Sequence, residues 1–94
     1  ARDDLIRRTV IMAIMCQGEV EYETINLAYM IDFRQYFARE LEDLKRLQGE
    51  GMVEVDAQRL QVTDQGWYFV RGVAMVFDKY LQANLSRTRF SKII

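Results

Sequence analysis

The sequence predicts a mainly α-helical domain with one small β-hairpin, in the winged-helix-like order of three helices, hairpin and long C-terminal helix. Apolar residues recur at helical spacing on either side of residues 49–62, and between them two short runs alternate apolar and polar. Gly18, Gly49 and Gly51 fall where these patterns change, and no proline interrupts a helix.

Asp3 or Asp4 can cap a first helix that runs to about Gln17, with Gly18 at its end. Leu5, Thr9, Met12, Ala13 and Cys16 share one face of it, and Ile6, Val10, Ile11 and Ile14 cover much of the remainder. A helix so apolar all round is expected to be the core helix, and Cys16 reads as a small buried hydrophobe rather than a reactive thiol. A shorter helix over 22–30 should turn Ile25 and Tyr29 inward. Asp32 followed by Gln35 is a weak capping box, opening a third helix to about Leu47. Its apolar stripe is Phe33, Tyr36, Phe37, Leu41, Leu44 and Leu47. Arg39–Asp43 and Glu42–Arg46 sit at pairing distance on its outer face.

Gly49 and Gly51 stop that helix. Residues 52–56 and 60–62 alternate as two strands joined by a turn at 57–59, and Thr63 then caps a last helix reaching about Leu85. Trp67, Val70, Ala74, Phe77 and Leu81 form one stripe, and Phe69, Val73, Val76 and Tyr80 a second. One stripe suffices to dock the helix on so small a core. The second is expected to stay exposed or to meet a partner. Gly72 in mid-helix costs about 1 kcal/mol relative to alanine, which suggests close approach of another backbone.

Ninety-four residues make one domain, 1–94, that buries roughly 60–65% of its unfolded surface. The alanine start and the lack of a signal-peptide pattern read as a fragment of a larger chain. Residues 10–16 are the longest apolar run, far short of the ~20 needed to span a bilayer, so no membrane partner is expected. One cysteine and no histidine give neither an internal disulfide nor zinc-site spacing, a composition that fits the cytoplasm. Residues 1–64 carry eight basic and thirteen acidic side chains, net −5, and residues 65–94 five and one, net +4.

No catalytic constellation is present: no phosphate-cradling glycine loop, no Ser/His/Asp set, no cysteine cluster. Catalytic, cofactor-binding and metal-binding residues are therefore expected to be none. The element order raises DNA binding through the third helix, where Arg34, Gln35, Arg39, Lys45 and Arg46 stand against Glu40, Glu42 and Asp43. Those acids oppose phosphate, and no nucleic-acid partner is expected. Near the C-terminus, Arg71 and Asp78 read either as surface charge or as a lock onto a partner domain. Arg89, Phe90 and Ser91 read either as a frayed end or as a latch anchored by Phe90.

The order Val70-Arg71-x-x-Ala74-Met75-x-Phe77-Asp78-x-Tyr80-Leu81, with the ending Arg89-Phe90-Ser91-x-x-Ile94, resembles the C-terminal end of bacterial oxygen-independent coproporphyrinogen III oxidases. Ile6-Arg7-Arg8 leading to Met15-Cys16, Phe33-x-x-Tyr36-Phe37, Gly51-Met52-Val53 and Val62-Thr63-x-x-Gly66 fit the same resemblance. Gly72 departs from it, since asparagine is expected there. The resemblance implies a parent oxidoreductase of heme and porphyrin biosynthesis that decarboxylates two propionates of coproporphyrinogen III to vinyl groups, giving protoporphyrinogen IX. It also implies an iron–sulfur cluster and S-adenosylmethionine, held in a radical-forming barrel by a Cys-x-x-x-Cys-x-x-Cys motif that this chain lacks, so neither is expected in the fragment. The implied partners are that barrel and the porphyrinogen substrate. Arg71, Asp78, Tyr80, Arg89 and Phe90 are the expected contacts toward one or the other. The alternative from a different class is a winged-helix DNA- or protein-binding regulator.

Overall fold

The computed structural model describes residues 2–78. Helix α1 (Arg2–Gln17) leads through strand β1 (Glu19–Glu21) into α2 (Tyr22–Tyr29), α3 (Phe33–Tyr36) and α4 (Ala38–Gly49). Strands β2 (Val53–Val55) and β3 (Arg59–Val62) follow, then a 3-10 turn (Gly66–Phe69) and the short helix α5 (Val70–Met75). The expected winged-helix-like label rests on this element order alone.

Helix α1 buries the row Ile6, Val10 and Ile14 and leaves Leu5, Met12 and Cys16 exposed. This corrects the expected inward face and the expected burial of Cys16. Both sides of α1 are apolar, so periodicity cannot phase the helix. The β-branched row at spacing four is the one that meets α5 and the sheet. Gly18 ends α1 at φ +69°, its N–H on the Ile14 carbonyl at 2.9 Å. A Cβ there would lie 2.4 Å from the Trp67 ring, so the glycine also gives the indole its seat.

The hairpin stands where expected, but the sheet has a third strand. β3 is central, antiparallel to both neighbours, with Val20 opposite Leu60 and Val53 opposite Val62. Those four side chains face the core while Gln61 between them faces solvent. Three residues of Glu-Val-Glu are too few to announce β1 in the sequence. Pairing with β3 and the Arg59–Glu19 bridge at 2.7 Å hold it.

Helices α3 and α4 replace the single third helix. Phe37, at φ −109° and ψ 31°, breaks the line between them. Its ring is fully buried against Phe33 and Phe77, and this tertiary contact turns the chain without glycine or proline. Asp32 precedes α3 without a side-chain cap. Glu42 pairs with Lys45 at 2.9 Å, where the spacing suggested Arg46. At the end of α4 the Gly51 N–H reaches the Gln48 carbonyl and the Met52 N–H the Leu47 carbonyl, with Gly51 at φ +80°. This is a Schellman motif, closed by half-buried Met52 and Leu47. Met30, which ends α2, takes the same left-handed conformation at φ 55° without being glycine. Its side chain is 88% exposed, so Met30→Gly should raise stability by about 0.5–1 kcal/mol.

The sequence element Val62-Thr63-x-x-Gly66 is explained by one carbonyl. Met52 O accepts the Thr63 N–H at 3.0 Å and shares the Thr63 hydroxyl, at 3.0 Å, with the Gly51 carbonyl at 2.6 Å, while Thr63 Oγ1 accepts the Gly66 N–H at 3.0 Å. Thr63 thus caps the next turn as expected. Gly66 lies flat against the same carbonyl, 1.9 Å from where a Cβ would stand.

Four rings centre the core. Tyr22 stacks on Phe33 with centroids 4.6 Å apart, Phe33 meets Phe37 at 4.8 Å, and Phe77 meets Phe37 edge-on at 5.2 Å. The Tyr22 hydroxyl is buried with no hydrogen-bond partner among the described residues, and burial pushes its pKa up to about 12 from the ordinary 10. The unfolded chain therefore loses this proton at lower pH than the folded one. Stability present below pH 10 should fall as the pH rises toward 12. Denaturant titrations across that interval should show the fall in the wild type and a smaller one in Tyr22→Phe. At neutral pH that variant should be unchanged or more stable by about 1 kcal/mol, having no orphaned hydroxyl.

Candidate functional site

The last described segment carries the densest exposed aromatic surface. Thr63 and Gly66 launch a 3-10 turn, which advances about 120° per residue against about 100° in an α-helix. Phe69, at φ −124° and ψ 24°, then breaks the line before α5. Residues before and after it no longer share a stripe. Of the first expected stripe, Ala74 and Phe77 are buried and Val70 half-buried, but Trp67 is 41% exposed. Of the second, Val73 is buried, Val76 half-buried and Phe69 55% exposed. The expectation of one outward stripe running along Phe69, Val73 and Val76 is corrected accordingly.

Tyr68, Arg71, Gly72 and Met75 face outward instead, at spacings of three and four. Tyr68 is 87% exposed, and Trp67, Phe69 and Met75 flank it with large apolar groups in solvent. Beyond the helix's own neighbouring backbone, no atom of the described residues lies within 4 Å of a Cβ placed on Gly72. Close backbone approach at Gly72 therefore comes from no described residue of this chain, and the glycine leaves a notch between exposed side chains.

The expected single helix to about Leu85 is also corrected. α5 ends at Met75, and the N–H groups of Val76, Phe77 and Asp78 bond to carbonyls three residues back. Arg71 is exposed and Asp78 half-buried, with Met75 between them at the rim of the face. Tyr80, Arg89 and Phe90 lie outside the described residues, as does Leu81 of the first stripe.

At its far end the segment is tied to α1. Trp67 rests on Gly18 and Phe77 reaches Arg7, so α5 runs antiparallel to α1. The Arg7 guanidinium donates from Nε to Asp3 at 2.9 Å and from Nη1 to Glu40 at 2.7 Å and to the Phe77 carbonyl at 3.3 Å. It lies 5.4 Å from the Phe37 ring centroid. Burial opposes the charge, but the bonds to Glu40 and Asp3 outweigh it and hold the Arg7 pKa above its ordinary value. Glu40, only 4% exposed, is the one buried charged residue among those described. The sequence marked Arg7 within Ile6-Arg7-Arg8 but gave it no partner.

No trio of His, Cys, Asp or Glu among the described residues is placed to hold a metal ion. No helix among them is long and apolar enough to cross a membrane. The outer face of α4 keeps its acids exposed beside its bases.

The described residues form a small, mostly helical module with an exposed aromatic face at its C-terminal side. A family model for the HemN C-terminal domain matches residues 1–69, and the chain belongs to that family. It is 41% identical over 92 residues to the oxygen-independent coproporphyrinogen III oxidase of Pseudomonas aeruginosa and 42% identical over 92 to that of Thermostichus vulcanus. These alignments cover 98% of this chain but 20% and 28% of those proteins, so the chain spans about a fifth to a quarter of its relatives' length. The solved structure of Escherichia coli coproporphyrinogen III oxidase (HemN), described as a radical SAM enzyme, superposes with a TM-score of 0.83 at 39% identity. That match covers 85% of this chain and 18% of the other. The comparisons give no support to a DNA- or protein-binding regulator.

Proposed function

We propose that this chain is the single C-terminal accessory domain of a cytoplasmic oxygen-independent coproporphyrinogen III oxidase. It packs on the catalytic barrel of the longer protein and helps to shape or close the substrate site. The observation that carries the reading is identity of 41% sustained over 98% of the chain, against relatives five times as long. The parent converts two propionates of coproporphyrinogen III to vinyl groups in heme biosynthesis. Radical chemistry of this kind draws on an iron–sulfur cluster and S-adenosylmethionine. The residues here do not fit the cluster: it needs about three or four thiolates, and this chain has one cysteine, exposed on α1. The cluster therefore belongs to the rest of the parent, and no step of the reaction is assigned to this chain.

What the domain supplies is surface and charge. The exposed apolar face of Trp67, Tyr68, Phe69 and Met75 suits burial against a partner domain, with Arg71 at its edge as the hydrogen-bonding lock. Residues 65–94 are net basic, which favours a substrate carrying four propionates. Phe90 anchors the C-terminal segment to the barrel, Arg89 pairs with a carboxylate of substrate or protein, and Asp78 and Tyr80 stand at its root. Deleting residues 87–94 from the full-length enzyme should abolish most turnover while iron content stays at the wild-type level. Unchanged kinetics would refute a role for the segment in closing the site.

A further inference from the structure

We infer that the notch at Gly72 is the receiving point of the docking face, taking an apolar side chain from the catalytic portion of the parent enzyme. The inference rests on the accessory-domain reading and names the contact that sets the register of the docking.

The fold accounts for four of the five glycines. Gly18 and Gly51 hold left-handed backbone at helix ends, Gly66 is pressed against the Met52 carbonyl, and Gly49 closes α4. Gly72 has none of these reasons. It stands third among the six residues of α5, with right-handed backbone, where alanine would hold the helix better. Its position is exposed, and beyond the helix's own neighbouring backbone no described atom lies within 4 Å of a Cβ placed there. Tyr68, four residues before it, and Met75, three after it, share the outward face and bring apolar surface to either side. Asparagine is expected at this position from the family resemblance, so glycine empties the volume of a side chain in the middle of the face. A docked interface with such a hole forfeits contacts on every side of it, and a larger side chain from the facing surface restores them. Burying a polar group between apolar neighbours without a hydrogen-bond partner is costly, which selects an apolar occupant. The occupant comes from the parent outside this chain, since a match over 98% of the chain takes up only 20% of the relative.

Gly72→Ala and Gly72→Asn test this in the isolated chain and in the full-length enzyme. Melting temperature is measured for the isolated chain, and hydrogen exchange over residues 66–75 for both proteins, with the isolated chain at two concentrations. We expect Gly72→Ala to raise the melting temperature of the isolated chain by about 4–8 °C, since the methyl group favours α5 and meets nothing. In the full-length enzyme the slowing of exchange, relative to the same variant isolated, should shrink about fivefold or more with alanine and further with asparagine, because the added atoms collide with the docked side chain. Undiminished slowing with alanine would overturn the inference by leaving the notch empty. A lowered melting temperature of the isolated alanine variant would overturn it by filling the notch from within this chain. Exchange of the isolated wild type that slows as concentration rises would overturn it by filling the notch from a second copy. A wild type whose exchange is no slower in the full-length enzyme defeats the accessory-domain reading and this inference together. Slowing that is present in the wild type and survives Gly72→Ala defeats this inference alone.

Discussion

Gly66→Ala should cost this domain about 3 kcal/mol or more, a large share of what a fold of its size possesses. The added Cβ would stand 1.9 Å from the Met52 oxygen and 2.8 Å from its carbon, both backbone atoms that no rotamer change can move. Relief requires separating the 3-10 turn from the α4–β2 junction. That movement would strain the Thr63 bonds to the same carbonyl. Gly49→Ala is the matching control, since beyond the helix's own backbone nothing among the described residues lies within 4 Å of its Cβ position at the end of α4. It should be neutral or stabilising by up to about 1 kcal/mol. Denaturant midpoints of the two variants measure the contrast. A Gly66→Ala chain as stable as Gly49→Ala would mean that the Met52 carbonyl is not packed as described.

Phe33→Ala should be comparably severe, at about 3–5 kcal/mol. Phe33 is fully buried and touches Tyr22, Phe37 and Phe77, so its ring joins α2, the α3–α4 break and the end of α5. Truncation leaves a cavity whose walls are themselves rings, which collapse poorly. Equilibrium unfolding in guanidinium chloride gives the number. A loss under about 1 kcal/mol would show that the ring cluster is not the centre of the core.

Both positions had been visible as parts of motifs, and the contrast between them shows what sequence reveals. Gly18 and Gly51 were legible because a helix end demands a left-handed residue, a local requirement with a local signature. The hairpin was legible for the same reason, through alternation and turn residues. The phase of α1 was not, because an apolar helix has no polar side to mark solvent. Nor was the break at Phe37, which comes from aromatic packing that includes Phe77, 40 positions away, rather than from any breaker. The 3-10 turn hid the outward face: counting 3.6 residues per turn through Gly66–Phe69 put Val73 on the exposed side and overlooked Tyr68. Arg71 is exposed, which fits both readings that helix spacing left open, surface charge and a lock onto a partner domain. The cluster around Arg7 was mostly out of reach, since only Asp3 is a neighbour on its own helix and the other two partners stand 33 and 70 residues along the chain.

The central claim is that the face around Tyr68 docks on the catalytic portion of a longer enzyme. Hydrogen exchange over residues 66–75, compared between this chain alone and the full-length protein, addresses it most directly. The account predicts that these amides exchange markedly more slowly in the full-length enzyme, while those of the α4 outer face, residues 39–46, exchange alike in both. Equal exchange over residues 66–75 in the two proteins would contradict it.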